Sequence, residues 1–323
     1  MSDATPLVDE TYEGGVTRID SGLYRPGAAA CYLLVRDGEA AFVETGVQRS
    51  VPRMLASLER QGLRPEDVRW VIITHVHLDH AGGAGALMKH CPNAKLVTHP
   101  KGARHMVDPM RLVEGTEAVY GKSQSLALHG VTIPVPSERV EEAPDGHTLR
   151  LGNSTLTTLE TWGHARHHMA ILDEDQQTLY TGDAFGISYR VYDRGENALI
   201  FPSTTPTQFE PEEMMRVIDR VDAMGLRWVH LTHFGRLPYR RALADQLGRG
   251  VERMVGFAET APEEPKARRS HLTEAFEAML MGDLLAMGIS LEQAELRRML
   301  GVDIRLNVQG LEAWLERRAA HAT

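Results

Sequence analysis

The chain has 323 residues, of which 42% are hydrophobic and 24% charged, and its formal net charge is −9. This composition excludes a disordered or fibrous protein, and it disfavours one whose main task is binding nucleic-acid phosphates, because such proteins carry basic surfaces. No apolar run reaches the roughly 18 residues that cross a bilayer, and residues 1–6 lack the basic and apolar stretches of a leader. We therefore predict a cytoplasmic protein with no nucleic-acid or membrane partner, in which Cys31 and Cys91 are free thiols.

The first hundred residues alternate between predicted strands and helices. Apolar and polar residues alternate from about residue 11 to 50, as in half-buried strands, and a helical spacing of apolar residues follows up to Gly62. Residues 70–73 form an apolar run typical of a buried strand, and a short helix and a strand at 95–97 come next. This order is typical of an α/β layered fold.

Residues from about 101 to 136 are different, because short amphipathic pieces between glycines predict a helical insertion. A proline begins a predicted helix at 211–224, and strand patterns return at 148–151, 155–160, 169–173, 178–180 and 228–231. After about residue 240 helical spacing dominates, at 242–257, 272–287, 291–300 and 308–315. We therefore predict a domain at 1–240, with the insertion at about 101–136, and a C-terminal helical extension at 241–323.

Three histidines and an aspartate stand within six residues, directly after the strand at 70–73: His75, His77, Asp79 and His80. Imidazole nitrogen and carboxylate oxygen are the ligands preferred by zinc and by divalent iron or manganese, and folding alone does not require so dense a cluster. The strand before it and the glycine-rich residues after it restrict where these side chains point. The cluster therefore predicts a metal site rather than a solvated histidine-rich loop.

A polar residue follows each of three later predicted strands: His164, Asp183 and His233. Strand ends along one edge of an α/β sheet converge, so we expect these side chains to join the first cluster. Four ligands in one loop can hold a single ion or contribute to two. The distant residues favour two.

With these residues the chain resembles the metallo-β-lactamase superfamily, and glyoxalase II in the placement of its helical extension. The family pattern of His-x-His-x-Asp-His, Gly-His, Gly-Asp and a final histidine is filled at all seven positions. The resemblance covers about residues 11–240. It implies a four-layer αβ/βα sandwich, an α/β fold followed here by a C-terminal helical appendage.

The cofactors implied by this resemblance are two divalent metal ions, with zinc as the first prediction and iron or manganese as alternatives. Hydrolysis by a hydroxide shared between the ions is the expected chemistry, because metal binding lowers the pKa of water toward about 7. Asp79 is the predicted catalytic residue, which orients the attack and shuttles a proton. The implied ligands are His75, His77 and His164 on one ion, Asp79, His80 and His233 on the other, and Asp183 as the bridge.

Three positions depart from the family pattern. Glu44 stands where an aspartate is usual, and its carboxylate could still accept a hydrogen bond from a ligand histidine. Trp162 replaces the usual proline before Gly-His. Gly186 stands where members that hydrolyse acyl-homoserine lactones carry a tyrosine, which weakens that substrate class.

The predicted substrate-binding residues follow the later ligands in the chain: His168, Tyr189 and Arg190. An arginine there could pair with an anionic group of a substrate. The insertion and the helical extension could wall the pocket, and Tyr120 is a candidate contributor.

The predicted function is a metal-dependent hydrolase acting on an ester, thioester or lactone of a small molecule. A phosphodiesterase acting on a small substrate is one alternative. Another is a single-iron oxidoreductase like the persulfide dioxygenases of the superfamily, which the 19-residue separation of His164 and Asp183 would suit. A regulatory protein that retains its metals is a third reading, and a homo-oligomer is left open.

Overall fold

The structure is a computed structural model that describes residues 9–204 and 207–322. The prediction made for residues 1–6 falls outside this part of the chain. Contacts divide the chain into two compact units. The first unit consists of the residues up to 160 together with 167–182 and 226–238. The second unit consists of residues 161–166, 183–225 and those from 239 onward.

The first sheet lies in the first unit and follows chain order in the described residues. Its strands are β1 Glu10–Tyr12, β2 Val16–Asp20, β3 Ala30–Arg36, β4 Glu39–Val43, β5 Val68–Ile72, β6 Lys95–Thr98 and β7 Val140–Glu142. Neighbours from β1 to β4 are antiparallel, and those from β4 to β7 are parallel. The parallel half therefore brings the carboxyl ends of β4 and β5 to one edge of the sheet.

The second sheet also lies in the first unit. Its strands are β8 Thr148–Leu151, β9 Ser154–Glu160, β10 Met169–Asp173, β11 Thr178–Gly182, β12 Trp228–Leu231 and β13 Gly235–Pro238, in the order β13-β12-β11-β10-β9-β8. β11 and β12 are parallel, whereas the other neighbours are antiparallel. Gly182 pairs with Leu231, so the chain leaves both strands at the same edge.

The two sheets face each other across a buried interior. The Tyr32 hydroxyl of β3 donates to the Leu231 carbonyl of β12 at 2.5 Å, and the Trp70 indole of β5 donates to the Arg150 carbonyl of β8 at 2.7 Å. Tyr32 also lies edge-on to His230, with ring centroids 4.9 Å apart. These contacts hold the first unit together as a sandwich.

The helices of the first unit lie in the chain between the strands of the first sheet. They are α1 Val51–Arg60, α2 Leu78–Ala81, α3 Ala84–His90, α4 Pro100–Val107, α5 Met110–Tyr120 and α6 Lys122–His129. Met54 and Leu58 of α1 and Leu87 of α3 belong to one buried cluster with Phe42 and Val71 of the sheet. Their spacing along each helix places one apolar stripe against the strands.

The second unit is helical in its regular structure over the described residues, with α7 Pro211–Asp222, α8 Arg241–Glu259, α9 Pro265–Ala286 and α10 Gln293–Ala322. Proline begins α7 and α9. The Glu264 carboxylate caps α9 by accepting from two backbone amides of its first turn. The Phe209 and Trp314 rings pack edge-on, 6.2 Å apart, between the start of α7 and α10.

The predicted α/β sandwich with C-terminal helices is confirmed, and the predicted insertion corresponds to α4–α6, which ends at His129. The stretches of helical spacing at 291–300 and 308–315 belong to one helix, because α10 continues through both. Leu300, Ile304, Val308 and Leu311 are all buried, so one apolar stripe runs from the first stretch into the second, past Gly301. Within the described chain, no helix combines the length and apolar character needed to cross a bilayer. The domain boundary at 240 stays a prediction.

Candidate metal centre

The ends of the parallel strands β4 and β5 build the base of the centre. The Glu44 amide, directly after β4, donates to the carbonyl of Ile72, the last residue of β5, at 2.8 Å. The chain then continues from β5 through Thr74 and His75 into the short helix α2, for which His77 is the N-cap residue. One edge of the sheet therefore carries Glu44 and the whole histidine motif.

Glu44 is the organising carboxylate of this edge. It is 1% exposed, and its backbone has a φ of +65°, a conformation that is rare outside glycine. Its Oε1 accepts from His80 Nδ1 at 2.8 Å, from Thr74 Oγ1 at 2.5 Å and from Thr232 Oγ1 at 3.0 Å, and its Oε2 accepts from the Thr74 amide at 3.2 Å. Four donors thus hold one buried carboxylate, and one of them is an imidazole of the motif.

Asp79, His80 and His233 form the first group of candidate ligands. Asp79 Oδ2 lies 3.7 Å from His80 Nε2 and 3.4 Å from His233 Nε2. The other ring nitrogen, Nδ1, donates to Glu44 in His80 and to the Ala28 carbonyl, at 2.8 Å, in His233. Burial would raise the pKa of Asp79, but the adjacent imidazoles outweigh this and hold that pKa well below its usual range.

His75 and His77 form a second pair beside this group. His75 Nε2 and His77 Nδ1 are 2.9 Å apart, and the rings of His75 and His80 have centroids 4.0 Å apart. Because Thr74 Oγ1 gives its proton to Glu44, it must accept from His75 Nδ1 at 3.0 Å. This arrangement again fixes Nδ1–H and leaves Nε2 of His75 as the electron-pair donor.

His164 and Asp183 belong to the second unit, where they lie close together. His164 Nε2 is 3.7 Å from Asp183 Oδ2. His164 Nδ1 donates to the Ser203 carbonyl at 3.0 Å, and the Ser203 hydroxyl donates to Asp183 Oδ2 at 3.3 Å. All three residues are buried.

These side chains fit a divalent cation. The Nδ1–H groups of His75, His80, His164 and His233 all face protein oxygens, so each neutral ring turns Nε2 away from that partner as a ligand atom. In the first unit, the possible ligand atoms within each of two groups, Glu44 with His75 and His80, and Asp79 with His80 and His233, lie within 4.8 Å of one another. Nitrogen and oxygen donors of this kind suit zinc, iron and manganese alike.

The predicted substrate-binding residues lie in different settings. His168 is fully buried, with its ring centroid 4.8 Å from that of His75 in the first unit. Tyr189 lies in the second unit, where it is 4% exposed and donates to Asp303 at 2.8 Å. The Arg190 guanidinium pairs with Asp193 at 3.3 Å. Their contact with a substrate stays a prediction.

Sequence reasoning missed the two threonines that bind Glu44. Thr74 and Thr232 are buried, and each directly precedes a histidine of the motif. The repeated Thr-His dipeptide at two strand ends is a signal that could have identified them. It places a histidine of the candidate site directly after the hydroxyl that donates to Glu44.

Comparison with known proteins identifies the class to which this site belongs. Residues 24–233 match the metallo-beta-lactamase superfamily. The protein therefore belongs to this superfamily, which confirms the resemblance drawn from the sequence.

Its relatives include the metallo-beta-lactamase fold-containing protein ST1585 of Sulfurisphaera tokodaii, which is 24% identical over 184 residues, 56% of this chain and 63% of ST1585. The crystal structure of ST1585 has the same fold, with a TM-score of 0.64 at 20% identity over 92% of this chain and 98% of that one. The human acyl-coenzyme A thioesterase MBLAC2 is 28% identical over 190 residues, covering 52% of this chain and 63% of the thioesterase. The hydroxyacylglutathione hydrolase of Rhodopseudomonas palustris is 25% identical over 183 residues, covering 56% of this chain and 58% of the hydrolase. The chain thus matches less than two thirds of the length of each of these three relatives.

Proposed function

We propose that the protein is a dinuclear metal-dependent hydrolase that cleaves an ester, thioester or lactone of a small molecule. The arrangement of Asp79, His80 and His233 carries the proposal. Their ligand atoms converge, while a buried carboxylate and a carbonyl hold the opposite nitrogen of each imidazole. Outer residues that hold imidazoles in this way are typical of metal sites. Gathering such polar groups in a buried position lowers the stability of a protein that binds no metal there.

We assign His75, His77 and His164 to one ion, Asp79, His80 and His233 to the other, and Asp183 to the bridge. Chain connectivity supports the place of Asp183, because it directly follows Gly182, which pairs with Leu231 two residues before His233. It also supports His164, which lies in the short segment between β9 and β10.

The ends of that segment lie beside the histidine motif. Glu160 and Met169 pair across β9 and β10, and the Met169 amide donates to the Thr74 carbonyl at 2.8 Å. Only eight residues separate Glu160 from Met169. The segment that carries His164 therefore starts and finishes next to the residue that precedes His75.

When bound, two divalent ions would supply Lewis acidity and lower the pKa of a water molecule. The chain's own part is to hold ligands and protons in place. Ionised Asp79, which is 25% exposed, can accept a proton from water and pass it to a leaving group. Glu44 holds Nδ1 of His80, which leaves Nε2 of that ring on the side of Asp79.

The two cysteines are protonated thiols at neutral pH, which favours water over cysteine as the nucleophile. Burial raises the pKa of Cys91 to about 12 and that of Cys31 well above its usual range, so neither is a thiolate at neutral pH.

Within the proposed group of substrates we place thioesters first. Two of the relatives are named as hydrolases of thioesters, the acyl-coenzyme A thioesterase and the hydroxyacylglutathione hydrolase.

Metal analysis beside a substrate panel tests this function. The purified protein should hold two equivalents of metal, and a chelator should abolish hydrolysis of thioesters, esters or lactones until metal is restored. Asp183→Asn should weaken metal retention more than about tenfold and reduce turnover, because it removes the charge of the proposed bridge. Asp175→Asn, on an exposed turn, is the matched control and should change neither.

Three outcomes would count against the dinuclear model. One is less than one equivalent of metal after repletion. Another is full activity in Asp183→Asn with two ions retained. Oxygen uptake by a one-iron protein that hydrolyses none of the panel would instead support the oxidoreductase alternative.

A further inference from the structure

The second unit contains a groove between its last two helices. It runs along residues 269–277 of α9 and residues 297–309 of α10, and its volume is about 380 Å³. Sites for small molecules commonly have volumes of about 300–1,000 Å³. None of the residues that line this cavity belongs to the candidate metal centre. We call it the α9–α10 groove.

The floor of the groove is apolar. Ile304 and Val308 line it and are 3% and 2% exposed, so they form the base of the cavity and not its rim. Gly301 lines it as well, and an added Cβ there would meet nothing within 4 Å. These three positions follow the spacing of one helix face. The glycine therefore leaves open space at one end of a continuous apolar strip along α10.

An arginine pairs with a glutamate near each end of the groove. Arg297 donates from Nε and Nη2 to the two carboxylate oxygens of Glu277, at 2.6 and 2.9 Å. Arg269 donates in the same way to Glu312, at 3.1 and 2.9 Å. The glutamate side chains are only 3% and 11% exposed, whereas those of the arginines are 54% and 66% exposed. The cation is therefore the exposed member of each pair.

The open space at Gly301 lies between two arginines. Arg297 stands one turn before it and Arg305 one turn after it on the same face of α10, and both line the groove. Within the described residues, Arg297 uses only Nε and Nη2 for its bonds to Glu277, which leaves the two N–H bonds of Nη1 for a ligand. Gln293 also donates to Glu277, at 2.7 Å. The guanidinium of Arg297 is thus held in place before any ligand binds.

The charges at this position favour an anion. Three arginines line the groove, and Glu277 is the one acidic residue among the lining side chains. A carboxylate has two oxygens in one plane that match the fork of a guanidinium, and hydrogen bonds between charged partners are about twice as strong as neutral ones. A small polar anion would leave the apolar strip uncovered. The complementary ligand therefore carries an aliphatic chain behind its carboxylate.

We propose that the α9–α10 groove binds an aliphatic carboxylate. Its head group accepts hydrogen bonds from Arg297 and Arg305 in the space beside Gly301, and its chain lies along Ile304 and Val308. This binding does not depend on the proposed hydrolase activity, because no residue of the metal centre takes part.

A titration with octanoate tests the site. The full chain is labelled with ¹³C in its isoleucine and valine methyl groups, and NMR should show saturable shifts at Ile304 and Val308. Octanamide has the same chain without the charge, so it should bind at least about tenfold more weakly. Affinity should also fall about two- to fourfold for each methylene removed between octanoate and butyrate, because the chain loses contact with the apolar strip.

Paired substitutions locate the head group. Glu277→Gln together with Arg297→Gln removes the guanidinium without leaving a buried carboxylate unpaired, and it should weaken octanoate binding about tenfold. Arg269→Gln together with Glu312→Gln makes the same exchange at the other end of the groove. This matched control should change the affinity less than about twofold.

A third variant fills the groove and keeps both ion pairs. Gly301→Leu places a side chain in the open space beside Arg297, so it should abolish octanoate binding. Circular dichroism and thermal melting show that each variant is folded before the titration. Shifts that persist unchanged in a folded Gly301→Leu protein would place octanoate elsewhere and overturn the proposal.

Four other results would also overturn it. The first is the absence of saturable shifts at Ile304 and Val308 at millimolar octanoate. The second is equal affinity for octanoate and octanamide, and the third is an equal loss of affinity in the two paired variants. The fourth is a set of shifts at Ile304 that follows the concentration of the protein instead of that of octanoate, because a second copy of the chain would then occupy the groove.

Discussion

At the scale of single residues, the site depends on a carboxylate that is not itself an expected ligand. Glu44 is longer by one methylene than the aspartate usual in this family, yet its oxygens reach His80, Thr74 and Thr232. Glu44 makes these contacts from a backbone with a φ of +65°. The longer carboxylate at this position therefore still holds a histidine of the candidate site.

Glu44→Gln tests that support. The amide oxygen of the glutamine can still accept from His80, although His80 loses a charged acceptor. The NH₂ group then takes the place of the oxygen that accepts from the Thr74 amide, so two hydrogen-bond donors face each other. We expect the affinity for the ion assigned to Asp79, His80 and His233 to fall about 10- to 100-fold, measured by competition with a chelator. Glu59→Gln, on the exposed side of α1, should leave the affinity unchanged. Equal affinities in the Glu44 variant and the unsubstituted protein would show that Glu44 does not support His80.

At the scale of elements, the sequence was sufficient to place a side chain where a histidine or an aspartate follows the end of a predicted strand. The motif from His75 to His80 and the strand-end residue His233 could be placed because a strand carries each to a predictable edge. The docking of α6 onto the turn after Glu44 could not be predicted, because no short motif encodes contacts between residues 78 and 83 positions apart. That 291–300 and 308–315 belong to one helix was not predicted either.

Gly301 directly follows the stretch of helical spacing predicted at 291–300. In the structure it lies inside α10, where an added Cβ would meet nothing within 4 Å. Gly310, nine residues later in the same helix, is the opposite case. A Cβ there would lie 2.0 Å from the Thr204 carbonyl oxygen, so only glycine allows this approach.

The two glycines form a matched pair for one prediction. Gly301→Ala should raise the free energy of unfolding by roughly 0.5–1 kcal/mol, because alanine lowers the entropy of the unfolded chain and adds no clash. Gly310→Ala should lower it, because Thr204 or the helix must move. Denaturant unfolding followed by circular dichroism measures both, and a loss of stability in Gly301→Ala would show that the helix is not continuous there.

At the scale of the whole molecule, the interior between the two sheets contains a titratable group that the site does not use. His230 lies among the rings of Tyr12, Tyr32 and Tyr180. Burial, reinforced by nearby arginines, lowers its pKa from 6.5 to about 3. The folded protein therefore keeps His230 neutral over a range of pH in which the unfolded chain protonates it.

This difference predicts how stability depends on pH. Below pH 6.5 the unfolded chain binds a proton that folded His230 excludes, so the free energy of unfolding should fall as the pH decreases from 6.5 toward 3. The contribution of this residue is at most about 1.4 kcal/mol per pH unit. Urea unfolding of the metal-free protein at several pH values between 4.5 and 7.5 measures the slope, and His230→Phe should flatten it, whereas His90→Phe should not. Both variants keep the ligand histidines, so their titration cancels in the comparison. Parallel stability profiles for His230→Phe and the unsubstituted protein would mean that acid destabilises the fold at other groups, and that the interior of the sandwich admits a charged imidazole.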